Sequence, residues 1–153
     1  MPGRSRLAND AWEALLTAHA EIMRRLAEED VWCEVSMREY DVLYTLSKCR
    51  EPIRLGELNR RVLLSQPALS RMVDRLVERG LVRRDADPGD GRSVRLSLTA
   101  EGRAQQHRTG RPHALGVARR MKSALDEDEM VELRALCRKL AGAQEPTTAG
   151  GHA

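Results

Sequence analysis

Residues 64–98 constrain the fold of this chain more than any other segment, because they combine an amphipathic helix with a short hairpin. Ser65 is a favourable N-cap, Pro67 is tolerated in a first helical turn, and Gly80 is a typical stop. Between them, apolar residues recur every three or four positions and therefore share one helical face: Leu69, Met72, Val73, Leu76 and Val77. The segment predicts a helix with one buried face and one polar face.

Two short strands and a glycine-rich turn follow this helix. Residues 81–85 predict the first strand, and residues 93–98 predict the second, which alternates apolar with polar side chains. The turn contains Pro88, Gly89 and Gly91, residue types that supply the fixed or positive φ of a tight reversal. The pattern therefore predicts a small β-hairpin beside the helix.

An arginine at the tip of the hairpin gives the segment its functional interpretation. Arg92 follows the second glycine, and Asp90 is expected to orient its guanidinium by a charge-assisted hydrogen bond. The major groove of duplex DNA accepts a helix, and the negative potential of the minor groove attracts an arginine on a narrow protrusion. The alternative is an ordinary charged hairpin, which composition alone does not exclude.

The chain resembles the MarR family of bacterial winged-helix transcriptional regulators. The resemblance covers residues 7 to about 141 and is carried by these segments: Leu64–Val82, Asp90–Ser93, Leu98–Gly102, Arg38–Leu46 and Leu55–Leu58. It implies a mainly α fold with a small β-hairpin, in which a winged helix-turn-helix is flanked by N- and C-terminal dimerisation helices. It also implies a homodimer, a recognition helix in the major groove, a wing arginine in the minor groove, and often control by a small aromatic or phenolic ligand.

On this basis the chain divides into three parts. Residues 1–34 and 104–142 form a helical dimerisation region, residues 35–103 form the winged helix-turn-helix DNA-binding region, and residues 143–153 form a disordered tail. The apolar faces of the first, fifth and sixth helices exceed what one short helical arm can cover, so a second copy is expected to bury them. A two-fold dimer predicts a pseudo-palindromic operator with half-sites about 10 base pairs apart.

Caps and apolar spacing predict the other elements. A first helix spans about residues 7–29, and a capping box at residues 36–39 opens a second helix that ends near Lys48. Ile53-Arg54 predicts a short edge strand, and residues 55–62 predict a third helix, separated from the recognition helix by a four-residue turn. The expected core contacts of the second helix are Tyr40, Leu43, Tyr44 and Leu46.

Two further helices follow the hairpin. Thr99 is expected to cap a fifth helix, and Asp126 to start a sixth. Gly110 and Pro112 interrupt the fifth helix, where proline removes a hydrogen bond and clashes with the preceding turn, so a kink or break is expected. The family resemblance implies one long helix at this point, so the two expectations disagree.

Charge distribution agrees with a nucleic-acid partner. The chain has a formal net charge of +3, but the segment from Arg50 to Arg111 contains 14 arginines and 8 acidic residues, a net charge of +6. The remainder is therefore net acidic, and basic charge is concentrated where phosphate contacts are predicted.

Several classes of protein are not expected. The sequence has no stretch of about 20 apolar residues and no signal peptide, so it predicts a cytoplasmic protein without membrane contact. It has no nucleophile elbow, His-Glu-x-x-His or Cys-x-x-Cys motif, so no enzymatic activity, metal site or cofactor is predicted. Cys33, Cys49 and Cys137 are widely spaced and odd in number, which favours reduced thiols.

Ten residues are assigned to DNA binding. Gln66 is matched to adenine and Arg71 to guanine or phosphate, Arg92 is the wing arginine, and the basic residues of the strands are assigned to phosphates. The complete set is Ser65, Gln66, Pro67, Ser70, Arg71, Arg83, Arg84, Asp90, Arg92 and Arg95.

An effector site is implied only by the resemblance, in the crevice between the dimerisation helices and the DNA-binding lobe. The candidate lining residues are Trp12, His19, Met37, Tyr40 and Asp41. Each has a structural alternative, as a core aromatic, a gap filler or a solvated polar residue. Two other functions stay open: a regulator that senses peroxide through the thiol of Cys33, and a winged helix that binds protein instead of DNA.

Overall fold

A computed structural model describes residues 2–142, with the backbone alone at residue 2, and the predicted disordered tail lies outside these residues. The described chain is mainly helical, as predicted. Its elements in order are α1 (Pro2–Ala27), α2 (Met37–Ser47), β1 (Ile53–Arg54), α3 (Leu55–Asn59), α4 (Gln66–Glu78), β2 (Val82–Asp87), β3 (Asp90–Leu98), α5 (Ala100–Ala124) and α6 (Glu127–Leu140).

The predicted hairpin is part of a three-stranded antiparallel sheet in the order β1-β3-β2. The predicted edge strand at Ile53 is confirmed, because Ile53 pairs with Leu96 of β3. Both hairpin strands are longer than predicted, so that only Pro88 and Gly89 lie between them. A register shift at the end of β2 allows this tight connection.

The predicted role of the turn glycines is wrong. Gly91 lies within β3, and neither Gly89 nor Gly91 has a positive φ. In the chain from residue 2 to residue 142, positive φ occurs at Gly80 and Gly142. Gly80 ends α4 with φ of 70°, which confirms the predicted helix stop and is a conformation that glycine adopts without steric cost.

A local capping box explains where α2 begins. The capping box predicted for α2 is present, with the Glu39 amide donating to Ser36 Oγ at 3.2 Å and the Ser36 amide donating to Glu39 Oε2 at 2.9 Å. The third helix is shorter than predicted, since it ends at Asn59 and leaves Val62 buried but outside the helix. Six residues, not four, therefore connect α3 to α4.

The hydrophobic core lies between the sheet and helices α2, α3 and α4. Tyr44 is an exception to the predicted core of α2, because its side chain is 43% exposed. The buried apolar residues of this core are Val35, Tyr40, Val42, Leu43, Leu46, Ile53, Leu58, Val62, Leu69, Met72, Val73, Leu76, Leu81, Val82 and Leu96. Helix α4 and the base of the hairpin therefore pack against the same hydrophobic core.

Helix α5 is continuous, so the break expected at Pro112 is wrong. The helix spans 25 residues with Pro112 inside it, and the proline ring is exposed. Proline removes a single i to i−4 hydrogen bond, and the turns on both sides retain theirs. Thr99 caps this helix as predicted, since Thr99 Oγ1 accepts a hydrogen bond from the Gly102 amide at 2.9 Å.

The chain forms two compact units, one ending at Gly116 and the other beginning at Val117. In the second unit, Asp126 caps α6 as predicted, because its Oδ1 accepts from the Glu129 amide at 2.9 Å. Helix α6 has no buried residue. No described helix is long and apolar enough to cross a membrane.

Candidate nucleic-acid interface

The first turns of α4 form an exposed polar edge. Leu69 and Val73 are fully buried, and this contact sets the rotation of the helix about its axis. As a consequence, Gln66, Pro67 and Arg71 are exposed on the other side. Ser65 caps the helix by accepting a hydrogen bond from the Ala68 amide. The sequence-predicted residues of α4 therefore lie together at its leading end, with Ser70 half-buried among them.

The wing presents an exposed arginine on an ordered backbone. Arg92 lies two residues into β3 and is exposed. The Asp90 carboxylate accepts hydrogen bonds from the backbone amide of Arg92 at 3.0 Å and from Ser93 Oγ at 2.8 Å. The hydrogen bond from the Arg92 amide, followed by that from Ser93, lowers the pKa of Asp90. Asp90 thus orders the strand that carries Arg92, in place of the predicted hydrogen bond to its guanidinium.

A buried carboxylate at the base of the wing was not predicted. The side chain of Asp87 has no solvent exposure, and Arg54 of β1 donates to its Oδ2 through Nε at 2.7 Å and Nη2 at 2.6 Å. On the other side, Oδ1 accepts from the Gly89 amide at 3.0 Å and lies 3.3 Å from Nη2 of Arg95. Asp87 therefore connects all three strands and the turn.

These donors outweigh the cost of burying the Asp87 carboxylate. The Gly89 amide, followed by Arg54 and Arg95, lowers the pKa of Asp87 from 3.8 to about 2 despite desolvation. The sequence Asp87-Pro88-Gly89 does predict a turn, because aspartate, proline and glycine are typical turn residues. Nothing in the sequence indicated Arg54 as its partner, because the two residues are 33 positions apart.

The three strand arginines assigned to phosphates each form an ion pair within the chain. Arg83 pairs with Asp85 at 2.8 Å, Arg84 pairs with Asp74 of α4, and Arg95 reaches Asp87. The first two pairs are exposed, and such pairs contribute little energy, so a phosphate can replace the carboxylate. Their role in DNA binding stays a prediction.

Arg71 and Arg92 differ from these strand arginines. Among the described residues, no carboxylate lies within 4 Å of either guanidinium. Each therefore keeps its full set of five N–H donors and its charge for an external acceptor. The two residues lie on the two elements, α4 and the wing, that the sequence analysis assigned to different grooves.

A separate cavity of about 520 Å³ lies between α1, α2 and the connection from α3 to α4. Among the predicted effector residues, His19 and Asp41 line it. The others do not: Trp12 is 59% exposed on α1, Met37 is half-buried elsewhere, and Tyr40 is in the core. The complete lining is His19, Met23, Arg38, Asp41, Tyr44, Thr45, Arg61, Val62, Leu63 and Leu64.

The cavity combines apolar walls with charged groups. Arg38 and Arg61 were not predicted, since an exposed arginine on a helix or loop carries no sequence signal for a pocket. Desolvation raises the pKa of the Asp41 carboxyl, and the charge of His113 opposes this shift. The site is thus suited to a small ligand with an apolar body and an anionic group.

Tyr40 packs against other aromatic rings in the core. Its ring stacks on Tyr44 at 5.9 Å and contacts Trp32 at 5.8 Å and His113 at 5.4 Å between ring centroids. Burial raises the pKa of its hydroxyl. Tyr40 therefore occupies a core position, and its role in ligand binding stays a prediction.

A short helix, an exposed recognition helix and an arginine-bearing β-hairpin on one core define a winged helix-turn-helix protein. Residues 35–94 match the family model described as MarR family. The chain belongs to the MarR family of winged-helix transcriptional regulators. The family resemblance inferred from the sequence is therefore confirmed.

Two curated relatives are regulators. The chain is 33% identical over 105 residues to the HTH-type transcriptional regulator PecS of Dickeya dadantii, a match that covers 67% of this chain and 63% of PecS. It is 28% identical over 147 residues to the HTH-type transcriptional repressor MdtR of Bacillus subtilis, covering 95% of this chain and 92% of MdtR. The chain thus spans somewhat less than two thirds of PecS.

Solved structures agree with the fold. A mutant MarR of E. coli complexed with operator DNA is 26% identical with a TM-score of 0.72, covering 84% of this chain and 91% of that one. The PcaV regulator of Streptomyces coelicolor, in complex with its natural ligand, is 28% identical with a TM-score of 0.63, covering 88% and 92%. Both are similar to this chain over most of their length.

Proposed function

We propose that this chain is a sequence-specific double-stranded DNA-binding transcriptional repressor. The observation that carries the proposal is the guanidinium of Arg92 on the wing, which has no carboxylate partner among residues 2–142, on a fold whose core also supports the exposed leading end of α4. A wing that only bound protein has no physical need for a free arginine at this place. The operator complex of the similar E. coli MarR and the repressor activity in the name of MdtR support the assignment.

The residues divide by role. Gln66 and Arg71 lie on the exposed leading end of α4 and are proposed to reach base edges in the major groove, where an amide suits adenine and a guanidinium suits guanine. Arg92 enters the minor groove. Arg83 and Arg84 exchange their surface ion pairs for phosphates, which adds affinity without sequence preference.

We further propose that the functional form is a homodimer. Large apolar side chains on α1 and on α6 are exposed in the single chain: Leu7, Trp12, Leu15, Leu16, Val131, Leu133, Leu136 and Leu140. Exposed apolar helix faces of this kind are typical of an interface. A two-fold dimer presents two recognition helices to a pseudo-palindromic operator.

The cavity of about 520 Å³ is the proposed effector site, with a small aromatic or phenolic anion as its ligand. Arg38 and Arg61 offer positive charge, and His19 and Tyr44 offer polar edges beside apolar walls. Leu64 of the lining directly precedes the N-cap of α4, so a ligand there contacts the segment that positions the recognition helix. Support comes from PcaV, whose structure holds its natural ligand.

DNA binding is tested by footprinting of the purified protein on DNA flanking its own gene, followed by fluorescence anisotropy over a range of salt concentrations. Arg92→Ala should weaken DNA binding. It should also reduce the slope of log K against log salt concentration by about one unit, because one cation that neutralises DNA phosphate charge is lost. Arg103→Ala is the matched control. It removes the same charge from the first turn of α5. This turn lies near the C-terminal end of α4, away from its leading end, because the cap residue Thr99 donates a hydrogen bond to the Gly80 carbonyl. Equal behaviour of both variants would contradict the role of Arg92.

Release by an effector is tested by isothermal titration of a panel of aromatic acids, with and without the footprinted duplex. A ligand that releases DNA must bind the free protein more tightly than the DNA complex, since equal affinities shift nothing. Arg38→Ala should weaken ligand binding and leave DNA affinity unchanged.

The alternative function, sensing of peroxide by a thiol, is tested separately. Cys33 is exposed and its thiol donates to the Asp30 carbonyl, so peroxide that abolishes DNA binding in the wild type but not in Cys33→Ser would favour that alternative.

A further inference from the structure

A second cationic feature lies beside the wing, in a groove between α3 and β3. The groove has a volume of about 420 Å³, and its charged lining residues are Arg54, Glu57, Arg60 and Arg92. Three of these residues are arginines, and they come from three separate places: β1, the end of α3, and the wing. Neither Arg54 nor Arg60 was assigned to DNA by the sequence.

The residues that line the groove include more guanidinium groups than carboxylates. Asp87 compensates Arg54 and is shared with Arg95, Glu57 contributes one negative charge to the lining, and Asp90 lies close enough to act on Arg54 electrostatically. Arg60 and Arg92 are exposed, and no carboxylate of the described residues lies within 4 Å of either. Two guanidinium groups therefore face a shared space, and one carboxylate there opposes them.

Arg54 is held in place before any ligand arrives. Its Nε and Nη2 donate to the fully buried carboxylate of Asp87, which fixes the plane of the guanidinium. Half of the side chain, 49%, is still exposed. Since a guanidinium has five N–H donors, donors remain for a group inside the groove. A positioned arginine loses less side-chain entropy on binding than a free one.

We infer that this groove is the seat of one DNA backbone phosphate, contacted by Arg60 and by the prepositioned Arg54. This inference rests on the proposed DNA binding. The minor groove is only about 6 Å wide, so an arginine that enters it has a sugar-phosphate strand on each side. Arg92 and Arg60 line the same groove, so a strand that flanks the minor groove entered by Arg92 passes within reach of Arg60. The occupant is thus a phosphate of the duplex and not a free anion.

The test uses the wild type, Arg60→Ala and the control Arg103→Ala on the footprinted duplex and on an unrelated duplex. A lost phosphate contact should reduce the salt slope by about 0.9 on both duplexes, and it should leave the preference among single-base operator variants unchanged. Arg60 is an exposed C-cap residue of α3 that caps through its backbone amide, and thermal unfolding verifies that the variant folds.

A methylphosphonate scan of the operator identifies the phosphate itself. Neutralising that phosphate in each half-site should weaken binding of the wild type and of Arg103→Ala, and it should weaken binding of Arg60→Ala less, because only the contact with Arg54 remains to be lost. If Arg60→Ala and Arg103→Ala show the same salt dependence of DNA binding and the same response to the methylphosphonate scan, the inference is overturned while the proposed function stands. A changed base preference would also overturn it, since Arg60 would then read a base. Absence of binding by the wild type to any duplex overturns the proposed function instead.

Discussion

At the scale of single residues, Asp87 shows how much of the wing depends on one buried carboxylate. It receives donors from the turn, from β1 and from β3. Burying a charge is unfavourable unless it is paired and hydrogen-bonded, and removing its partners or its charge leaves an unsatisfied site. The residue type and the Pro-Gly that follows it were visible in the sequence, but the burial of the side chain was not.

The lowered pKa of Asp87 predicts how its contribution depends on pH. Its pKa is about 2 in the folded chain against an ordinary 3.8, so the folded state holds the proton less tightly. The stabilisation is therefore present above pH 3.8 and is lost as the pH falls towards 2. Asp87→Asn should lower the denaturation midpoint at neutral pH, and its difference from the wild type should shrink across that window.

Urea unfolding at a series of pH values measures this difference. Asp85→Asn is the control, because it removes an exposed acid from the same strand, and an exposed ion pair contributes little. A gap between Asp87→Asn and wild type that stays constant down to about pH 2 would rule out the proposed linkage.

At the scale of secondary-structure elements, patterns predicted the existence of each helix and strand better than their ends. Capping side chains marked the starts of α2, α4 and α6 correctly because a cap is a contact within a few residues. The end of α3 was predicted wrongly, because it depends on packing that a local rule omits. For α5, the proline predicted a kink or break and the family resemblance implied one long helix, and the helix is continuous. Pro112 costs one hydrogen bond, and a helix of 25 residues tolerates this loss.

The close approach of α5 to the start of β2 gives a prediction at this scale. A Cβ added at Gly102 would lie 1.8 Å from the carbonyl oxygen of Leu81 and 2.8 Å from its carbonyl carbon. These are backbone atoms, so one of the two elements must move, and Gly102→Ala should destabilise the chain by about 1–3 kcal/mol. Circular dichroism during urea unfolding measures the change.

Gly56→Ala is the matched control for this prediction. Gly56 is also helical, but no atom lies within 4 Å of its added Cβ. The same substitution there should be neutral or stabilising by about 0.5–1 kcal/mol, because alanine has the higher helix propensity. Equal effects at the two positions would show that the contact with Leu81 is not the cause.

At the scale of the whole molecule, the apolar residues that remain exposed are as informative as the core. Leu136 on α6 is 52% exposed, although it follows the same apolar spacing that is buried on α4. The spacing predicted an apolar face in both helices and did not say which partner covers it. The proposed answer for α6 is a second copy of the chain.

Sedimentation equilibrium tests this assembly. Burying a leucine contributes about 1.5–3 kcal/mol, so Leu136→Glu should weaken the dimer by about 10-fold or more and weaken operator binding with it. Ala135→Glu adds the same charge about 100° around the helix from Leu136 and should weaken the dimer less. A wild type that sediments as a single chain at all concentrations would contradict the proposed homodimer.

The amino-acid sequence by itself determined the order of the elements, the polar leading end of α4 and the position of Arg92, because periodicity, caps and turn residues act over a few positions. Only the tertiary structure decided which arginines are free. Arg54, Arg83, Arg84 and Arg95 have carboxylate partners that lie between 2 and 33 positions away, and Arg92 has none among the described residues. A guanidinium is available to DNA only when no nearer anion holds it, and that depends on which side chains the fold brings into contact.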